Sequence, residues 1–156
     1  MSQSTSENPA GQRPHHHLEI EVIPEHIDSL GHVNNAVYVK YFERGRIAYY
    51  KQLGVPLEST HPPRLGTAVV NLNVNFRDEC VVGDRLHLHT QGHQRGNRSF
   101  VLLQHLTRPD GAAVADCSVT SVVMNLDSRT AEAIPEALAA ALPAREPTHE
   151  SPINRP

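Results

Sequence analysis

Tryptophan is absent from this chain, and aromatic residues make up only 4% of it. Bulk for a core must then come from wherever the few rings gather, and Tyr38, Tyr41, Phe42 and Tyr49 gather in one segment. Cysteine is almost as scarce. Cys80 and Cys117 stand far apart and show no metal-ligand spacing, which excludes a disulfide-stapled secreted scaffold and fits two reduced thiols. Net charge is only -3, so no strong field points to nucleic acid. No apolar run approaches the ~20 residues of a membrane helix, and the N-terminus lacks the apolar core of a secretory signal. The expectation is a cytoplasmic protein with neither nucleic acid nor membrane as partner. A length of 156 residues suits one domain with its own core.

Residues 1–14 are Ser, Gln, Asn, Gly and Pro without periodicity, and read as a disordered tail. His15-His16-His17 reads as a polar run entering the first strand. Leu18 to Val22 alternates apolar and charged residues, which predicts a half-buried strand ended by Pro24. A polar loop, Glu25 to Asn34, leads into a helix predicted over Asn35 to Leu53, with Gly54 and Pro56 as its stop. Tyr38, Tyr41, Phe42, Gly45 and Tyr49 fall on one face at 3-4 spacing. Gly45, in the middle of that face, implies close approach of another backbone.

Strands follow. Val70, Leu72, Val74 and Phe76 alternate with Asn71, Asn73, Asn75 and Arg77, so amides and apolar groups line opposite faces. The Asn row is expected to be solvated or to lie at a wet subunit contact. Arg85 to Gln94, Ser99 to Thr107 and Ala112 to Asn125 are further strands, separated by Gly96-Asn97 and Pro109-Asp110-Gly111 turns. Four successive strands predict an antiparallel meander, with the first strand pairing elsewhere in the same sheet. An Ala-rich segment, Glu132 to Leu142, reads as a short helix. Residues 143–156 read as a disordered tail, leaving residues 15–142 as the domain.

The loop carries the chemistry. Asp28, Gly31, His32, Asn34 and Asn35 lie at the predicted N-terminus of the helix, where unpaired N–H groups and the positive end of the dipole suit a carbonyl oxygen gaining negative charge. Asp-x-x-Gly-His-Val-Asn-Asn-x-x-Tyr, followed by Tyr41-Phe42-Glu43-Arg44-Gly45-Arg46, resembles the 4-hydroxybenzoyl-CoA thioesterase family of hotdog-fold acyl-CoA thioesterases. The order of strand, Asp loop, long helix and four strands agrees over roughly Leu18 to Leu126. The resemblance implies an α+β hotdog fold, a five-stranded antiparallel sheet wrapped around one long central helix. It also implies a homodimer or homotetramer with sites at the dimer interface, and hydrolysis of an acyl-CoA thioester.

In that family the Asp of the loop is the general base or nucleophile, a role that falls on Asp28. The competing reading makes Asp28 a turn cap. The related plant acyl-carrier-protein thioesterases place Asp-x-Asn-x-His before Val-Asn-Asn. Asp28 and His32 match, but Leu30 stands where Asn is found, so His32 either joins the chemistry or ties down the loop. Backbone N–H groups from Asn34 to Ala36 are candidates for the oxyanion hole, with Gly31, Asn34 and Asn35 beside the substrate and one Asn as helix cap. Arg64, Arg95 and Arg98 are candidates for the CoA phosphates. CoA is part of the substrate, and no metal or redox cofactor is expected. Glu43 is read as a surface ion-pair partner of Arg44 or Arg46. His87, His89, His93 and His105 read as solvated strand residues rather than a metal site. Two other functions fit these residues: a hotdog hydratase or dehydratase using Asp28 with His32, and a non-catalytic acyl-CoA-binding protein.

Overall fold

The computed structural model describes residues 13–57 and 60–146. Residues 1–12 and 147–156, where most of both predicted tails fall, lie outside the described residues.

One helix organises the molecule. Helix α1 spans Asn35–Gln52, with Asn34 as its cap and Leu53 closing its last turn. Gly54 follows at φ +69°, a backbone conformation that costs glycine little. Tyr38, Tyr41, Phe42, Gly45 and Tyr49 are buried, as the spacing predicts, together with Arg46 and Tyr50. Gly45 does permit a close approach, but of sheet side chains rather than of the expected second backbone. A Cβ there would lie 2.5 Å from Leu88 Cδ2 and 2.9 Å from Gln104 Nε2.

The strands are β1 (His15–Glu21), β2 (Leu65–Phe76), β3 (Arg85–Arg95), β4 (Ser99–Thr107), β5 (Ala113–Asn125) and the short β6 (Thr130–Ala131). They form one antiparallel sheet in the order β1-β3-β4-β5-β2, with β6 added beside β5. The predicted four-strand meander is therefore corrected to three strands, β3, β4 and β5. β2 crosses over to pair with β5. Alternation along a strand fixes its faces but not its neighbour. β1 begins at the histidines, three residues before the apolar alternation, because His15 to His17 pair with Gln91 to His89 of β3.

Helix α2 is confined to Glu136–Ala140, since Pro135 caps it and the preceding residues run extended. The chain after it does not leave the domain at residue 143. Arg95 N–H donates to Pro143 O and Arg145 N–H to Arg95 O, so this segment lies along the end of β3.

α1 packs on β1 and β3. Two apolar clusters lie beneath it. The first gathers Ile20, Val33, Tyr38, Phe42, Leu86 and Leu106 under its first half. The second gathers Tyr49, Tyr50, Phe100, Leu102, Val123 and Leu138 under its second half. Between them runs a buried polar layer of Arg46, Thr90, Gln104 and Ser121. Gln104 Nε2 donates to Phe42 O at 2.8 Å and to Thr90 Oγ1 at 2.9 Å, and Arg46 donates to Gln104 Oε1 at 3.3 Å. Buried polar groups need such partners, and these tie the middle of α1 to the sheet.

β2 is an edge strand. Val69, Val70 and Phe76 are 46%, 60% and 51% exposed. A bulge between Val69 and Asn71 leaves Val70 outside the β5 ladder. Asn71, Asn73 and Asn75 pair with Thr120, Ser118 and Asp116, so the Asn row sits on the outer, polar face of the sheet.

Candidate active site

Ile27 and Val33 form a bridge that closes the Asp28 loop at its base. Within it Asp28 N–H donates to His32 O, and Gly31 N–H donates to Asp28 O. Gly31 holds φ +85°, which explains a glycine there. The loop is tied to the core by Val33, 2% exposed, whose N–H donates to Cys80 O.

The Asp28 carboxylate is held at both oxygens. Oδ1 accepts Leu30 N–H at 2.9 Å, and Oδ2 accepts the side-chain amide of Asn34 at 3.2 Å. The first bond is the turn-capping contact expected of an Asp in a loop. The second reaches across to the helix, because Asn34 also caps α1, its Oδ1 accepting Ala36 N–H at 2.9 Å. Each carboxylate oxygen keeps acceptor capacity beyond these bonds.

Asp28, Leu30, His32 and Asn35 line an open cavity of ≈ 460 Å³ between the start of α1 and the end of β2. Tyr38, Phe76, Arg77, Asp78 and Glu79 complete it. Sequence reading missed the last four. Their signal was the sudden polar run after Phe76, where the β2 alternation stops. Tyr38 and Phe76 meet edge to face at 5.4 Å, and Tyr38 OH donates to Asp78 O at 3.2 Å. Burial pushes the Tyr38 phenol and the Cys80 thiol above their ordinary ranges, and Tyr41 up to about 12. Behind the pocket these groups stay protonated at neutral pH, while Asp28, His32, Asp78 and Glu79 line the pocket itself. Among the described residues the His32 ring makes one long contact, Nδ1 to Val33 O at 3.4 Å.

Of the three amides proposed for an oxyanion, two are already engaged. Asn34 N–H donates to His26 O and Ala36 N–H to the Asn34 side chain. Among the described residues Asn35 N–H has no such partner, because the residue one turn back is in the loop rather than in a helix.

The three arginines are not at this pocket within one chain. Arg64 precedes β2, at the far end of that strand from Phe76, and pairs with Asp127 at 3.0 Å. Arg95 and Arg98 sit at the far end of β3 from Arg85, roughly 30 Å along the strand at ~3.3 Å per residue. Arg95 Nε donates to Ala139 O and Leu142 O and so caps α2. Arg77 is the basic residue that does line the pocket, joined to the Asp116 carboxylate.

Glu43 does not form the expected ion pair among the described residues. It lines a second cavity of ≈ 180 Å³ with Arg46 and Tyr50, further along α1. No group of three or more His, Cys, Asp or Glu among the described residues is placed to hold a metal. Instead the strand histidines cluster with those of β1. His17 Nε2 lies 2.8 Å from His87 Nδ1, and the His17 and His89 rings are 4.3 Å apart.

The model of the Thioesterase-like superfamily matches residues 22–142. The chain is 32% identical over 117 residues to the long-chain acyl-CoA thioesterase FadM of Escherichia coli (strain K12), covering 74% of this chain and 88% of that one. Among solved structures, YbaW, a probable thioesterase from Escherichia coli, is 29% identical with a TM-score of 0.66, covering 80% of this chain and 94% of that one. The protein SAV2348 from Staphylococcus aureus, solved in complex with CoA, has the same fold at 19% identity and a TM-score of 0.76, covering 86% and 85% of the two chains. An Asp loop at the head of one long helix, that helix cradled by an antiparallel sheet, and a family match over most of the chain lead to one assignment: this protein belongs to the thioesterase-like superfamily of hotdog-fold proteins.

Proposed function

We propose that this chain is an acyl-CoA thioesterase that releases a free carboxylic acid and CoA, with Asp28 as general base or nucleophile. One observation carries the reading. Asp28 is fixed by Asn34 against the start of α1, in an open pocket that His32 and Asn35 also line. The similarity to a long-chain acyl-CoA thioesterase supports the reaction class. A fold shared with a CoA complex supports the leaving group.

As base, Asp28 takes a proton from water, and the hydroxide attacks the thioester carbon. The tetrahedral oxyanion is met by Asn35 N–H and the helix dipole. The C–S bond then breaks, and the CoA thiolate recovers the proton from the Asp28 carboxyl. As nucleophile, an Asp28 oxygen displaces CoA to form an anhydride that water opens. His32 orients the water or bonds the carbonyl oxygen. Neither route draws on a metal or redox cofactor, and CoA enters as part of the substrate.

The working form is a homodimer or homotetramer in the cytoplasm, joined through the exposed edge of β2. Among the described residues no helix is long and apolar enough to cross a membrane. Arg64, Arg95 and Arg98 reach CoA phosphates only from a neighbouring protomer, whereas Arg77 reaches them from the same chain.

The test is thiol release from short, long and aromatic acyl-CoAs by the natural protein and by Asp28→Asn. A loss of ~100-fold or more in kcat with the fold intact is expected. Turnover indifferent to the substitution moves the base to His32, and no turnover of any acyl-CoA overturns the reading.

A further inference from the structure

The second cavity is built differently from the first. It lies between the second half of α1 and the start of β2, lined by Glu43, Arg46, Tyr50, Gly66, Thr67 and Val69 among others. Two of its wall residues are more than nine-tenths buried: Arg46 at 8% and Tyr50 at 6% exposure. Tyr50 OH makes no hydrogen bond of good geometry, and neither does Ser121 Oγ, although the Thr67 and Ser121 hydroxyls are near enough to the phenol to interact with it weakly. Among the described residues no carboxylate lies within ion-pair distance of Arg46, whose one side-chain bond is a 3.3 Å contact to Gln104. A buried guanidinium with a single neutral acceptor and no carboxylate partner, beside a buried phenol with no well-formed hydrogen bond, is costly, and native proteins keep such groups where something else supplies an acceptor.

The position of the cavity says what that something is. Both cavities lie in the same gap between α1 and β2, one at each end. Arg46 follows Asn35 by about three turns, roughly 16 Å along the helix. Between the two ends stand Leu72 and Val74. Both project to the helix side of the sheet, paired with Val119 and Cys117, and Leu72 is 36% exposed. The gap therefore has a carboxylate and helix N-terminus at one end, an apolar middle, and buried hydrogen-bond donors with spare capacity at the other. Glu43 and Lys51, both exposed, stand at the rim of the far cavity with opposite charges, so the donors inside it decide its preference.

We infer that the cavity beside Arg46 and Tyr50 receives the distal end of the acyl group, and that the preferred substrates carry an acceptor oxygen there, a carboxylate above all. A guanidinium with a phenol beside it matches a carboxylate in both charge and donor number. This rests on the acyl-CoA reading and narrows its substrate class to acyl groups with a polar far end.

The test uses thioether analogues of CoA, which cannot be hydrolysed. They form a series of alkyl chain lengths, each made plain and with a terminal carboxylate. Binding to the full chain is measured by calorimetry for the natural protein, Tyr50→Phe and Arg46→Gln. Tyr50→Phe keeps the ring and removes only a buried hydroxyl without a well-formed hydrogen bond, so it folds even if Arg46→Gln does not. At one chain length the carboxylate analogue is expected to bind at least about tenfold more tightly than its plain twin, and Tyr50→Phe to narrow that ratio severalfold. Equal binding of the twins at every length overturns the inference and leaves the thioesterase reading standing. So does a ratio unmoved by Tyr50→Phe, or an Arg46→Gln protein whose oligomeric mass changes while the ratio stays. Failure of every analogue to bind overturns the inference and the acyl-CoA reading together.

Discussion

Asn34 Nδ2 donates to Asp28 Oδ2 at 3.2 Å while Asn34 Oδ1 accepts the N–H of Ala36 at 2.9 Å, so one amide links the candidate base to the first turn of α1. Asparagine is suited to this because it donates and accepts at once. Asn34→Asp keeps the cap and loses the donor. It places a second carboxylate beside Asp28, and like charges at that range oppose each other's ionisation. The expected outcome is unchanged thermal stability, kcat/KM lower by about tenfold at neutral pH, and an acid limb of the pH–rate profile moved upward. Asn34→Ala loses both bonds and is expected to destabilise by about 1 kcal/mol as well. A rate that follows stability alone in the two variants shows Asn34 to be a helix cap and nothing more.

Gly45 sets helix propensity against packing. Alanine is the better helix former by about 1 kcal/mol. Its Cβ, however, would stand 2.5 Å from Leu88 Cδ2, 2.9 Å from Gln104 Nε2 and 3.0 Å from Thr90 Oγ1. Leu88 and Gln104 are fully buried, and Gln104 is held by Phe42 O and Thr90. They have little room to yield, and overpacking of this kind costs about 1–3 kcal/mol. Packing wins, so Gly45→Ala is expected to lower the denaturation midpoint. A midpoint that rises would mean that the polar layer gives way cheaply.

The histidine face carries a pH dependence whose sign is fixed by burial. Desolvation first, then the neighbouring imidazoles, push His17 and His89 below the ordinary value of 6.5, with Glu19 opposing at His17. The folded protein therefore binds fewer protons at these sites than the unfolded chain does as pH falls below 6.5. Stability is full above that value and is lost as pH drops from 6.5 through the lower folded values. Melting temperature followed from pH 7.5 to pH 5 is expected to fall. His17→Gln, which removes the shared partner of His87 and His89, is expected to flatten the slope. An equal slope in both proteins would place the titration elsewhere.

Helix α1 was legible because its rings fall on one stripe at 3-4 spacing, and only a helix brings Tyr38, Tyr41, Phe42, Gly45 and Tyr49 to one face. The Asp28 loop was legible as a place, since Gly31, His32 and Asn34 mark a turn running into a cap. What each amide does there was not, because Ala36 N–H is taken by a side chain two residues away. The β2–β5 pairing was hidden for a different reason. Alternation records which side chains share a face, and a crossover leaves no trace in it. Arg46 and Tyr50 escaped because a charged residue in a helix reads as exposed. Burial of Arg46 depends on Gln104, 58 positions away in sequence. Arg95 likewise read as a candidate for the CoA phosphates, and its bonds to the chain at the end of α2 depend on residues more than 40 positions away.

The edge of β2 decides the last prediction. Beyond Leu65, which bridges Leu57, the strand has β5 on one side and a row of backbone groups open to a second chain on the other. Val69, Val70 and Phe76 are exposed along it, and no charged side chain blocks the stretch from Leu65 to Phe76. Natural edges that must stay monomeric are usually charged, short or covered, and this one is none of these. Val70 is the residue to change, because the bulge already excludes it from the ladder with β5, so the fold does not rest on its pairing. Val70→Lys is expected to leave the circular dichroism spectrum and monomer fold unchanged. It should lower the mass measured by light scattering from that of a dimer or tetramer toward that of one chain. If the cavities between α1 and β2 are completed by the partner, thiol release should fall in step with the mass. A natural protein that is already monomeric and active would remove the need for a second chain at the site. A Lys variant that stays dimeric would move the interface away from β2.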